Sequence, residues 1–113
     1  MLYPDGRVRV GAWDGAGVEG YIHPGVWTNL TTTFDGTTLS LYINGALTQS
    51  SPAQFNLQGV PFFAGDDLPV AADTGVDERH FEGEMRLIRV YNRVLNAAEV
   101  ASLYQRGSKL LGL

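Results

Sequence analysis

The chain contains no cysteine, so neither a disulfide framework nor thiol chemistry is open to it, although this does not identify a compartment. No apolar run approaches the roughly 18 residues of a membrane span, so no crossing helix is expected. Positive charge is not in excess. Eight Lys and Arg against twelve Asp and Glu leave a formal charge of −4, which argues against a nucleic-acid partner held by a general basic field. Only two histidines are present, and with no cysteine this disfavours zinc. The opening Met1-Leu2-Tyr3-Pro4-Asp5-Gly6 runs straight into a turn and not into an apolar signal segment. The expectation is a cytoplasmic protein or a piece of a secreted parent.

What is present points to β structure. The 113 residues suit a single domain over 1–113, with 44% apolar and 18% charged residues. Fourteen glycines and abundant threonine lean toward an all-β chain with many turns.

The most informative stretch is Trp27-Thr28-Asn29-Leu30-Thr31-Thr32-Thr33-Phe34-Asp35-Gly36-Thr37-Thr38-Leu39-Ser40-Leu41-Tyr42-Ile43-Asn44-Gly45. Two alternating apolar runs are separated by Asp-Gly and closed by Asn-Gly. Asn-Gly between alternating hydrophobics signals a type I′ hairpin turn, because both central residues need positive φ. The segment therefore reads as two strands and the start of a third in an antiparallel meander. Leu30, Thr32 and Phe34 are expected to face inward, as are Leu39, Leu41 and Ile43; Trp27 and Phe34 read as core.

Elsewhere, Arg7 to Trp13 alternates with period two, placing Val8, Val10 and Ala12 on one face and Arg7, Arg9 and Trp13 on the other. A turn at Asp14 to Gly17 precedes a short strand near Glu19 to His23. A weaker strand spans Ala46 to Ser51, a loop follows from Gln54 to Gly59, and a short buried strand spans Val60 to Gly65. An acidic loop runs from Asp66 to Glu82, and a last strand from Met85 to Tyr91. Asn96 with Glu99 three residues later has capping-box spacing, and Val100, Leu103 and Tyr104 follow at helical spacing. A helix from about Ala97 to Arg106 is expected, with Gly107 as its stop. About seven short strands with regular turns predict an antiparallel β-sandwich or jelly roll with one short C-terminal helix.

Two segments resemble the concanavalin A-like, or laminin G-like, jelly-roll superfamily. The first is Trp27 through Gly45: Trp, an alternating strand, an Asp-Gly turn, then Leu-Tyr-hydrophobic-Asn-Gly. The second is Phe81 through Val100, with Phe-x-Gly, the run Arg89-Val90-Tyr91-Asn92-Arg93, and Leu95-Asn96-x-x-Glu99. The glycine-ended Phe62-Phe63-Ala64-Gly65 between them also fits. The resemblance is specific for fold and weak for function, because the shared residues are core and turn positions. Two departures stand out. Where such domains carry an acidic pair after Phe-x-Gly-hydrophobic, this chain has Arg86 and Leu87, so no role of that pair carries over. The resemblance also implies strands earlier than Arg7. Their absence leaves three readings: a smaller closed sandwich, self-association or completion by another chain, or a fragment of a longer protein; self-association is favoured.

Catalysis finds little support. Glycan-hydrolysing members of the superfamily place paired carboxylates at alternating positions on one strand, and no Glu-x-Asp-x-x-Glu strand exists here. Serine-centred motifs are absent, and His23 and His80 have no evident nucleophile partner. An enzyme is not expected. Seven of the twelve acidic residues lie between Asp66 and Glu84. Asp66, Asp67, Asp73 and Asp77 are the candidate ligands for calcium, which takes six to eight oxygens, against the plainer reading of a solvated acidic loop. For glycan binding, where aromatic rings stack on sugar faces and polar groups fix the hydroxyls, Trp13 is the candidate platform. Arg7, Arg9, Tyr21 and His23 accompany it. The competing reading places Trp13 over the core or in a subunit interface. The expected function is a non-catalytic recognition module for a glycan or protein surface ligand, extracellular or at the cell surface. The alternative is a structural assembly module whose strand edges are completed by another chain.

Overall fold

The first strand pair forms where the alternating arginines and valines meet a glycine-rich partner. β1 (Arg7–Gly11) and β2 (Gly17–Tyr21) run antiparallel, with Arg7 opposite Tyr21 and Arg9 opposite Glu19. β3 (Leu30–Phe34), β4 (Thr38–Ile43) and β5 (Ala46–Pro52) form a second antiparallel sheet in the order β3-β4-β5. One helix, α1, spans Ala97–Leu111. The computed structural model describes residues 2–11, 17–54 and 83–113. They divide between a unit of Met1–Phe55 with Val90–Leu113 and a unit of Asn56–Arg89. The architecture is an antiparallel β-sandwich of two sheets with a C-terminal helix. No described helix is long and apolar enough to cross a membrane.

Local chemistry sets the turns. Asn44 (φ 51°) and Gly45 (φ 77°) both take the left-handed region, as a type I′ turn between β4 and β5 requires. Asp35 closes the β3–β4 turn through one oxygen: its Oδ1 accepts from the amides of Thr37 (2.9 Å) and Thr38 (2.7 Å) and from the Thr37 hydroxyl (3.0 Å). Those bonds, the Thr38 amide first, hold the Asp35 carboxyl below its ordinary range.

The core of the first unit lies on both faces of β4. On one face, Leu39 and Leu41 pack with Val18 and Ala53, and Val10, Phe34 and Ile43 border them. On the other, Tyr42 packs with Leu95 and Val100 of the helix region, bordered by Leu103. Leu41, Val18 and Val100 are fully buried. Removing a side chain such as Leu41 costs about 2–5 kcal/mol, since the lost transfer energy adds to an unfilled cavity.

The helix is longer than its sequence signals. The capping box forms: Asn96 Oδ1 accepts from the Glu99 amide (2.8 Å), and the Glu99 carboxylate accepts from the Asn96 amide (3.1 Å). Gly107, however, does not stop the helix. It is buried on the face that carries Val100, so the inward stripe continues through it, and Gly112 takes the left-handed cap at φ 73°. The Gly112 amide donates to the Lys109 carbonyl and the Leu113 amide to the Ser108 carbonyl, satisfying the last turn.

Other expectations need correction. Met85 to Tyr91 forms no strand. Leu87 stands at φ 56°, which interrupts an extended run, and Met85, Leu87, Ile88, Val90 and Tyr91 are exposed. None of the described ladders includes this segment, and alternation without a ladder partner does not make a strand. Leu30 and Thr32 lie opposite Ile43 and Leu41, on the core-side face, yet both are exposed, Leu30 by 45%. The reason is lateral: among the described residues β2 packs chiefly over β4 and β5 and less over β3. Trp27 precedes β3 and is 39% exposed, so it is not core. The second strand begins and ends two residues before its expected place, leaving His23 outside it. The expected strand at Val60 to Gly65 and the acidic loop lie outside the described residues.

Candidate functional site

The outer face of the β1–β2 sheet gathers most of the residues expected to bind a ligand. Alternation along each strand sends Val8, Val18 and Gly20 inward, and the same parity places Arg7, Arg9, Glu19 and Tyr21 together on the opposite face. Gly20 lets the two layers approach: a Cβ there would lie 2.6 Å from Ile43 Cδ1 and 3.1 Å from Thr48 Cγ2. Across the layers, the Glu19 amide donates to Gln49 Oε1 at 2.6 Å, tying β2 to β5.

Glu19 organises the face. Its Oε1 stands 3.8 Å from Arg7 Nη1 and 3.6 Å from Arg9 Nε, so one carboxylate lies between two guanidiniums. Both separations exceed a hydrogen bond, which leaves charge attraction without directional bonding. Arg9 extends over Gly17; a Cβ on Gly17 would sit 2.9 Å from the Arg9 guanidinium carbon, so glycine opens that lane.

Arg7 is held from below by an aromatic ring. The Tyr3 amide donates to the Arg7 carbonyl (2.8 Å), and the Gly6 amide donates to the Tyr3 carbonyl (3.0 Å). This tight loop brings the Tyr3 ring beneath the Arg7 guanidinium, 3.9 Å from its carbon to the ring centroid, a cation–π contact. Asp5 Oδ1 accepts from the Arg7 amide at 3.0 Å. Arg7 Nε is buried and has no hydrogen-bond partner. Tyr21, directly across from Arg7, is 66% exposed, with its ring available to solvent.

Of the residues expected to bind, Arg7, Arg9 and Tyr21 are therefore brought together. His23 is not: it lies beyond the end of β2, exposed, its carbonyl accepting from the Val26 amide in a turn. Trp13 lies outside the described residues, as do Asp66, Asp67, Asp73 and Asp77. Among the described residues no cluster of three or more His, Asp or Glu side chains could hold a metal. Glu19 and Tyr3 escaped the sequence reading. The signal for Glu19 was its pairing with Arg9, equally far in sequence from Asp14.

A concavity of about 440 Å³ lies along the first half of α1, lined by Tyr91, Arg93, Leu95, Leu103, Glu99 and Arg106 among others. Its polar groups already serve one another. Arg93 grips the Glu99 carboxylate with both terminal nitrogens, Nη1 to Oε1 at 3.0 Å. Arg106 donates to the Ser102 hydroxyl, from Nη2 at 2.9 Å. The Arg93 bonds, then the Asn96 amide, bring Glu99 down to a pKa of about 2, and Arg93 is raised in return.

A laminin G-type family model, described as the concanavalin A-like lectin/glucanases superfamily, matches residues 2–101. The chain belongs to this superfamily. A crystal structure of an S-layer domain-containing protein (residues 221–444) from Clostridium thermocellum is similar to the laminin G-like chain, with a TM-score of 0.63 at 19% identity. The match covers 87% of this chain and 50% of that one, so the laminin G-like chain spans about half the length of that structure. At this identity the likeness concerns the fold. No curated protein matches the chain.

Proposed function

We propose that this laminin G-like domain is a non-catalytic recognition module at or outside the cell surface, binding a carbohydrate through the outer face of its β1–β2 sheet. One observation carries the reading: an exposed aromatic ring, Tyr21, stands beside two guanidiniums and a carboxylate held on rigid strands. A sugar offers an apolar face to a ring and a rim of hydroxyls to charged donors and acceptors. Tyr21 takes the apolar face, Arg7 and Arg9 donate to hydroxyl oxygens, and Glu19 accepts from hydroxyl protons. The surface location is supported by the family and by the S-layer domain-containing neighbour.

A glycan array probed with the wild-type protein and with Tyr21→Ala tests the reading. Binding by the wild type, lost in the variant, is expected. No binding by either overturns it.

A second reading rests on a different observation. Leu30 is exposed on the core-side face at one side of the β3-β4-β5 sheet, β3 carries no charged residue, and Val26 and Trp27 are exposed just before it. Among the described residues β3 has no further strand beside it, and uncharged edge strands invite pairing. On this reading the domain assembles with another chain along β3, within a larger surface protein. Light scattering at micromolar concentration distinguishes the two: an oligomer dissociated by Leu30→Lys favours assembly, and a monomer removes it.

A further inference from the structure

We infer that the ligand of the β1–β2 face is an acidic saccharide, bound through a sugar carboxylate by Arg7. The inference rests on the carbohydrate reading above and names the substrate class of that same site. Three features of Arg7 carry it. Its guanidinium is pinned over the Tyr3 ring, so its plane is set before any ligand arrives. Its Nε is buried and out of a ligand's reach, so the terminal nitrogens are what a ligand meets, and Nη1 reaches Glu19 only at 3.8 Å, outside hydrogen-bond range. The side chain is still 34% exposed, beside the exposed ring of Tyr21. A guanidinium that is oriented yet poorly spent on its own neighbours is suited to a planar carboxylate, which takes two parallel N–H bonds from the fork.

Arg7 and Arg9 flank the Glu19 carboxylate, and the second nearby carboxylate, Asp5, has one oxygen committed to the Arg7 amide. A neutral sugar would leave the fork facing hydroxyls, which cannot return two parallel charge-assisted bonds. A uronate would place its ring on Tyr21 and its carboxylate on Arg7, with Glu19 accepting from a ring hydroxyl. A sulfate ester offers the same charge with tetrahedral oxygens, so the test must separate it from a carboxylate.

The test uses an array of galacturonate, glucuronate and mannuronate oligomers, the same oligomers methyl-esterified at the carboxyl, sulfated oligosaccharides and neutral oligosaccharides. The wild-type protein is expected to bind at least one uronate oligomer and to lose it on methyl-esterification. Arg7→Lys, which keeps the charge and loses the fork, is expected to weaken that binding by roughly ten- to a hundredfold. Because the esterification arm uses unaltered protein, the result stands even if the Arg7 variant misfolds, which a melting curve would reveal. Binding only to neutral sugars, equal binding of esters and acids, or preference for sulfated sugars overturns this inference and leaves the carbohydrate reading in place. Uronate binding unchanged in a folded Arg7→Lys variant overturns the role of Arg7. Failure to bind any glycan removes both.

Discussion

Asn29 and Asn44 are joined by a reciprocal pair of bonds: the Asn44 amide donates to the Asn29 carbonyl, and the Asn29 amide donates to Asn44 Oδ1, each at 2.9 Å. Asn44 thus does two things. It takes the left-handed backbone that the β4–β5 turn needs, and its side chain fastens the segment leading into β3.

Separating those roles gives the first prediction. Asn44→Ala loses both the favoured positive φ and the bond to the Asn29 amide, and should cost about 1–3 kcal/mol. Asn44→Gly keeps the backbone freedom and loses only the bond, so its cost should be smaller. Urea denaturation of the two variants checks the order; equal losses would show that the left-handed backbone preference contributes nothing, and an unchanged Asn44→Gly that the side-chain bond contributes nothing.

Acid should weaken the grip of Arg93 on Glu99. The Glu99 carboxyl ordinarily titrates near 4.5 and is lowered to about 2 in the folded chain. A carboxyl depressed by folding adds stability that is complete above its unfolded value and fades as pH falls through the folded one. The melting temperatures of wild type and Glu99→Gln should differ most at neutral pH and converge as pH drops from about 4.5 toward about 2. A constant gap across that window would remove Glu99 as the cause.

Gly20 is a point of close approach between the two sheets, and filling it should force them apart. Gly20→Val places side-chain atoms where Ile43 and Thr48 already stand, at an expected cost of about 1–3 kcal/mol. Gly25, whose Cβ would meet nothing within 4 Å, offers a control for the loss of a glycine in a left-handed turn. Thermal unfolding of both variants reads the difference, and an unaffected Gly20→Val would refute close apposition.

Calcium is tested without reference to a sheet. We propose that any calcium is held by Asp66, Asp67, Asp73 and Asp77, since oxygen-rich loops suit that ion. A ligand that binds the folded form raises its melting temperature. Millimolar calcium added after chelation should therefore raise it in the wild type and not in a chain with these four residues changed to Asn. An unchanged wild-type melting temperature eliminates the ion.

What could be read from the sequence followed from how local the chemistry is. The Asn44-Gly45 turn and the Asn96/Glu99 capping box involve residues that bond to their own neighbours, so their spacing alone specifies them. The family signature was legible for the same reason, being built of turns and strand alternation. Trp27, Leu30 and Thr32 were misread because alternation tells which face a side chain takes and not whether another layer covers it. Gly107 was misread as a stop because glycine can also be the residue that lets a helix lie close to its neighbours. On the outer face of β1 and β2, Arg7 and Arg9 followed from parity, whereas Glu19 required the register of the hairpin and Tyr3 required the loop that folds it under Arg7.

The position of β4 has a dynamic consequence. It is hydrogen-bonded on both edges, to β3 and β5, and its two faces are sealed by different layers, Leu41 beneath β2 and Tyr42 beneath α1. Each of its ladder amides bonds to one neighbour, and the layers over both faces screen it further. The ladder amides of Leu41 and Tyr42 should be among the slowest to exchange with deuterium, opening only when the surrounding unit unfolds. The register of β3, β4 and β5 then stays fixed until that unit opens as a whole.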